Sequence, residues 1–148
     1  MLRQLWNGVM LAIYLTYLRV ATRGWELLGT MLGPVSFTWT QSVAAGAIFL
    51  PLDGWQYEFA PFGGALEVIT DATAVGMVLT LTAAGDTIVE ESPIKAGGTA
   101  GVIPSALNTS AYVGRVKKGD RLKIKVRNTT AGAVTSNGIA TLVPGGRR

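Results

Sequence analysis

The spacing of apolar residues changes from three and four to two at Gly33-Pro34. Before that point Leu2, Leu5, Trp6, Val9, Met10, Ile13, Tyr14, Tyr17 and Leu18 recur at the period of a helix with a broad apolar face. Trp25 to Leu32 resumes the signal after Thr22-Arg23-Gly24, and Gly33-Pro34 ends it. Either one helix runs through Gly24 or two meet there. After Gly33-Pro34, Val35, Phe37 and Trp39 alternate with Ser36, Thr38 and Thr40, so one face of a strand is apolar and the other rich in hydroxyls. Short runs of strand character follow at residues 43–50, 55–59, 65–70, 75–82, 87–90, 111–116, 121–128 and 133–143. Turn signals separate them, among them Pro51-Leu52-Asp53-Gly54, Ala84-Gly85-Asp86 and Lys118-Gly119-Asp120. The pattern predicts a mainly β chain: an antiparallel β-sandwich or jelly-roll-like barrel of about eight strands preceded by an N-terminal helical segment. Residues 1–33 are expected to form a hydrophobic arm or anchor and residues 34–148 the β-sandwich domain.

The first segment is unusual in lacking charge from Gln4 to Leu18, between Arg3 and Arg19. As a helix this run spans about 22 Å, short of the roughly 30 Å of a bilayer's hydrocarbon core. Arg3 and Arg19 at its ends and Trp6, Tyr14 and Tyr17 within it suit interfacial depth, so lipid contact through residues 4–18 is one reading. Burial against protein is the other. In both, Leu5, Trp6, Val9, Met10, Ile13, Tyr14, Tyr17 and Trp25 are the expected contact residues. A cleaved leader fits less well, because Arg19 and Arg23 stand where a small-residue cleavage site belongs.

Charge divides the rest of the chain. Residues 34–110 carry seven acidic side chains and one basic, Lys95, whereas residues 111–148 carry nine basic side chains and one acidic, Asp120. The clearest strand, Arg121 to Arg127, places Leu122, Ile124 and Val126 on one face and Arg121, Lys123, Lys125 and Arg127 on the other. Pairing through the Lys118-Gly119-Asp120 turn would bring Arg115 and Lys117 to the same stripe. Three readings of this stripe follow: the solvated face of an edge strand, a dock for the acidic region of a neighbouring copy, and a surface for nucleic-acid backbone. Interleaved aromatic residues, which would stack bases, are lacking.

Composition then narrows the chemistry. The chain has no histidine and no cysteine, which removes imidazole and thiol ligands and bases. Asp53, Asp71, Asp86 and Asp120 stand singly beside turns, without the spacing of a calcium loop. No serine sits in a Gly-x-Ser-x-Gly elbow. No catalytic residue, metal ligand or cofactor is expected, and the chain reads as non-enzymatic. Trp39, Trp55, Tyr57, Phe59 and Phe62 are the aromatic groups from which a sugar platform would have to be built, core packing being the plainer use. Gly97 to Thr109 is the longest segment of low propensity, expected to be an exposed excursion or a partner-ordered arm.

The stretch from Ser110 to Thr129, followed by Ile139-Ala140-Thr141-Leu142-Val143-Pro144, resembles small bacteriophage virion proteins in its order of strand, Gly-Asp turn, strand, Asn-Thr loop and closing strand. These are β-sandwich capsid decoration, cement or minor capsid subunits. The resemblance implies a structural protein of the virion that stabilises or decorates a capsid through repeated intersubunit contacts, with major capsid or other virion proteins as partners and a homo-oligomeric state. The apolar N-terminal segment departs from a simple decoration module and resembles an anchoring arm. Two alternatives remain open at this point: a membrane-tethered surface module that recognises a glycan, and a virion protein that contacts nucleic-acid backbone.

Overall fold

The computed structural model describes residues 33–105 and 110–145. Eight strands build two antiparallel sheets: β1 (Val35–Val43), β2 (Ile48–Phe49), β3 (Gly64–Ala72), β4 (Met77–Ala83), β5 (Asp86–Pro93), β6 (Ser110–Val116), β7 (Leu122–Asn128) and β8 (Val134–Pro144). The first sheet has the order β1-β8-β3-β6 and the second β2-β7-β4-β5. Pairing is nested, β4 with β5, β3 with β6, β2 with β7 and β1 with β8. Every connection except that from β4 to β5 carries the chain from one sheet to the other. The expected all-β antiparallel architecture is thus present. The expected N-terminal helical segment, with Leu5, Trp6, Val9, Met10, Ile13, Tyr14, Tyr17 and Trp25, lies outside the described residues.

Alternation decides which residues meet between the sheets. Leu66, Val68, Ala140 and Leu142 of the first sheet and Leu79, Leu81, Leu122, Ile124 and Val126 of the second are all at most 1 % exposed and belong to one core. Each fully buried Leu, Ile or Val contributes about 1.5–3 kcal/mol. Trp39 fits because residue 138, its register partner on β8, is glycine. A Cβ there would stand 2.0 Å from Cζ2 of the indole, whose Nε1 donates to Ser136 Oγ at 3.2 Å.

The open sides of the sandwich are closed differently. On one, Tyr112 of β6 donates through its hydroxyl to Ser92 Oγ, 3.1 Å away, tying the edge strands of the two sheets. On the other lies the long β2–β3 connection, with Leu52, Ala60 and Phe62 buried and Trp55 edge-on to Tyr57 and tilted on Phe37. Residues 55–59 were expected as a strand from their alternation and instead form turns with a single bridge, Phe59 to Arg121. Pro51 and Pro61 bracket the segment, and the Trp55 N–H bonds back to the Leu52 carbonyl, which leaves no extended run to pair. Likewise, the expected strand 43–50 is broken, and beyond Val43 only Ile48–Phe49 is extended. Val43 completes β1, and a turn through Gly46, at φ 67°, intervenes.

A candidate interaction face on the second sheet

The six basic residues expected on one stripe divide between the sheets. β6 pairs with β3 and β7 with β2 and β4, so Lys118-Gly119-Asp120 is a crossover between sheets and not a hairpin turn. Asp120 shapes it by accepting the Lys117 N–H at 2.7 Å, and Gly119 supplies the required φ of 87°. Arg115 consequently lies on the outer face of the first sheet, opposite Ala65, and Lys117 at the crossover. Both line an open depression of about 740 Å³ with Lys118, Asp86 and Asp120, where charges of both signs mix.

Lys123, Lys125 and Arg127 do share a face, the outer surface of the second sheet, with Leu122, Ile124 and Val126 buried beneath them. Their strand is internal, which corrects the edge-strand reading: β2 covers it at Val126 and Arg127, and the Glu58 carbonyl accepts the Leu122 N–H. In register, Lys123 faces Thr82 and Lys125 faces Thr80, so no carboxylate of β4 stands opposite them, while Asp53 and Glu58 line a small depression with Lys123 on the other side. Ile48 and Leu50, 55 % and 40 % exposed, border the row on its β2 side.

The two arginines are engaged within the chain. Arg127 Nη2 donates to Glu91 Oε1 at 2.7 Å, while Val78 and Ile48 flank it in register and its buried Nε has no partner. Arg121 Nε donates to Glu58 Oε1 at 2.6 Å, and its guanidinium lies 5.9 Å from the centroid of the exposed Phe59 ring. Two carboxylates of the acidic region are therefore matched to the basic strand of the same copy. Among the described residues, the part of the stripe with no ion pair reduces to Lys123 and Lys125.

The expected aromatic platform does not form as one surface. Trp39 and Phe62 are core residues, Trp55 packs on Phe37 and Tyr57 on Trp55, and Phe59 stands apart under Arg121. Among the described residues no group of three His, Cys, Asp or Glu gathers to hold a metal ion. Nor is any helix among them long and apolar enough to cross a membrane.

A buried polar cluster emerges that periodicity did not signal. Asn137, fully buried on β8, donates through Nδ2 to Asp71 Oδ1 at 2.8 Å and to the Thr99 carbonyl at 3.1 Å. Its Oδ1 accepts the Gly101 N–H at 3.2 Å. Gly98 passes so close to Asp71 that a Cβ would stand 2.2 Å from Oδ1. The segment expected as a free excursion is thus fastened along residues 97–101. Residues 106–109 lie outside the described residues. Asn128 plays the same part at the β7–β8 turn, donating to the carbonyls of Val43 and Gly132 and accepting from Thr130.

No family model and no curated protein matches the chain. Among solved structures it is similar to the Yersinia pseudotuberculosis-derived mitogen, with a TM-score of 0.44 and 13 % sequence identity over 78 % of this chain and 91 % of that one. A likeness at that level carries no functional argument.

Proposed function

We propose that this protein is a non-enzymatic structural subunit of a virion, stabilising or decorating a capsid through repeated contacts in which Lys123 and Lys125 meet an acidic partner surface. The observation that carries the reading is a pair of ammonium groups without ion pairs among the described residues, held on an internal strand of the sheet and bordered by Ile48 and Leu50. Such a face is broad and mixes charge with apolar area, as protein interfaces do, and it is not concave like a small-molecule site. The nested strand order is that of a two-sheet jelly roll, an architecture used by capsid and lectin domains. The lectin alternative finds less support, because Trp55 and Tyr57 are turned onto Phe37 and each other. The nucleic-acid alternative lacks aromatic side chains among the lysines.

Density-gradient sedimentation of the full chain made in its native context tests the reading. The protein is expected to travel with a protein shell, and Lys123→Glu with Lys125→Glu to leave it in the soluble fractions. A full chain that never enters particles would sink the proposal. Binding of nuclease-sensitive material that the double substitution abolishes would favour nucleic acid instead.

A further inference from the structure

The two ends of the sandwich differ in chemistry. One carries the β2–β3, β4–β5 and β6–β7 connections, with Asp53, Glu58, Lys117, Lys118 and Asp120. The other carries the connections 44–47, 73–76 and 129–133 and the described part of the β5–β6 connection, 94–105, drawn together by backbone bonds such as Asn128 N–H to Ala47 carbonyl, Ile94 N–H to Met77 carbonyl and Thr73 N–H to Thr135 carbonyl. Eighteen residues of these four segments are exposed, and Lys95 alone among them is charged. Val75, Val102 and Ile103 are 74 %, 55 % and 57 % exposed, amid alanine, glycine and threonine.

We infer that this charge-poor end is a self-association surface, and that its occupant is the same end of a second copy. A surface almost without charge is the part of a cationic molecule that two identical copies can bring together without repulsion, and a two-fold contact demands that one patch complement itself. Small side chains let backbones approach closely, while Val75, Val102 and Ile103 supply apolar area. Eighteen residues approach the roughly 20 a side of the smaller standard interfaces, which suits a weak dimer. A bilayer is the poorer occupant, since interfacial aromatic residues and a basic cluster are both lacking there. The surface is also preorganised: Asn137 and Asp71 hold residues 97–101, so little ordering opposes association. The inference goes beyond the proposed function, because self-association through this end requires neither a shell nor the lysine face.

The test uses the full chain, whose lack of cysteine makes any introduced thiol unique. Ala100→Cys and Ala131→Cys are expected to form disulfide-linked dimers under mild oxidation, and Asp53→Cys at the opposite end to remain monomeric. In sedimentation velocity, mass is expected to rise with concentration alike at about 0.05 M and about 1 M salt, since no charge pairs are screened. Val102→Asp with Ile103→Asp, and independently Val75→Asp, should weaken association at least about tenfold by burying unpaired charge. All three positions are exposed, and a thermal melt checks that each variant is folded. Equal cross-linking from both ends, association untouched by the aspartates, or no association at all would overturn the inference. So would flotation with zwitterionic vesicles that the aspartates abolish, which would make lipid the occupant.

Discussion

Asn137→Ala removes a side chain whose amide is engaged on both its atoms inside the protein, and its cost can be worked from the contacts. The bond to the Asp71 carboxylate is charge-assisted and contributes about 1.5–3 kcal/mol net, and the two bonds to the 97–101 backbone about 1 kcal/mol each. Asp71 is itself 8 % exposed, so water admitted by the truncation recovers only part of this. A loss of about 3–4 kcal/mol in unfolding free energy is expected, a large share of the stability of a domain this size. Denaturant unfolding of the full chain followed by tryptophan fluorescence measures it, through Trp39 in the core. Hydrogen exchange gives a local signature, faster exchange at Gly101 in the variant. Asp71→Asn is the companion variant: an amide oxygen still accepts from Asn137 Nδ2, so it should cost clearly less. If Asn137→Ala costs under about 1 kcal/mol with Gly101 exchange unchanged, or if Asp71→Asn costs as much, the latch is not what fastens the loop.

Three further outcomes follow from local geometry. Gly138→Ala sets a methyl against the rigid indole of Trp39 and should cost about 3 kcal/mol or more, whereas Gly114→Ala meets the rotatable end of Ile88 and should cost clearly less; thermal denaturation of both compares them directly. Ala84 at φ 53° and Gly85 at φ 92° form the β4–β5 turn, so Ala84→Asn, better suited to that region, should stabilise by about 0.5–1 kcal/mol in the same assay. Glu91→Gln breaks a half-exposed ion pair with Arg127 and should change stability by less than about 1 kcal/mol, with the difference shrinking further in high salt.

Legibility in the sequence follows the range of the forces involved. The inward faces of β1 and β7 were readable because alternation is local: Phe37 and Trp39, or Ile124 and Val126, must share a face wherever the strand goes. Which sheet a strand joins depends on crossovers, and nothing within Lys118-Gly119-Asp120 distinguishes a turn that returns along one sheet from one that passes to the other. The predicted six-residue basic stripe failed on that point alone. Trp55, Tyr57 and Phe59 alternate like a strand for a different reason, since a loop that closes the side of a sandwich also needs apolar residues. Asp71, Asn128 and Asn137 were silent because a single buried polar residue has no period; its partners lie 2 to 85 positions away in the chain.

The charge asymmetry shows how a pattern in one dimension changes meaning on folding. An acidic middle and a basic end suggested copies docking on one another, yet the nested order sets β5 and the β2–β3 connection close to β7 within a single copy. Glu91 then meets Arg127 and Glu58 meets Arg121, satisfying charges that the linear sequence left available to a neighbour. What survives for external contact is set by register: threonine, and not a carboxylate, stands opposite Lys123 and Lys125 on β4. Replacing Thr82, which faces Lys123, by glutamate would supply an intramolecular partner and is expected to weaken the lysine face without removing either lysine, whereas Thr80 is already engaged by the Glu91 N–H. Loss of particle association in Thr82→Glu, at unchanged thermal stability, would therefore separate a role of the lysines in contact from a role in folding.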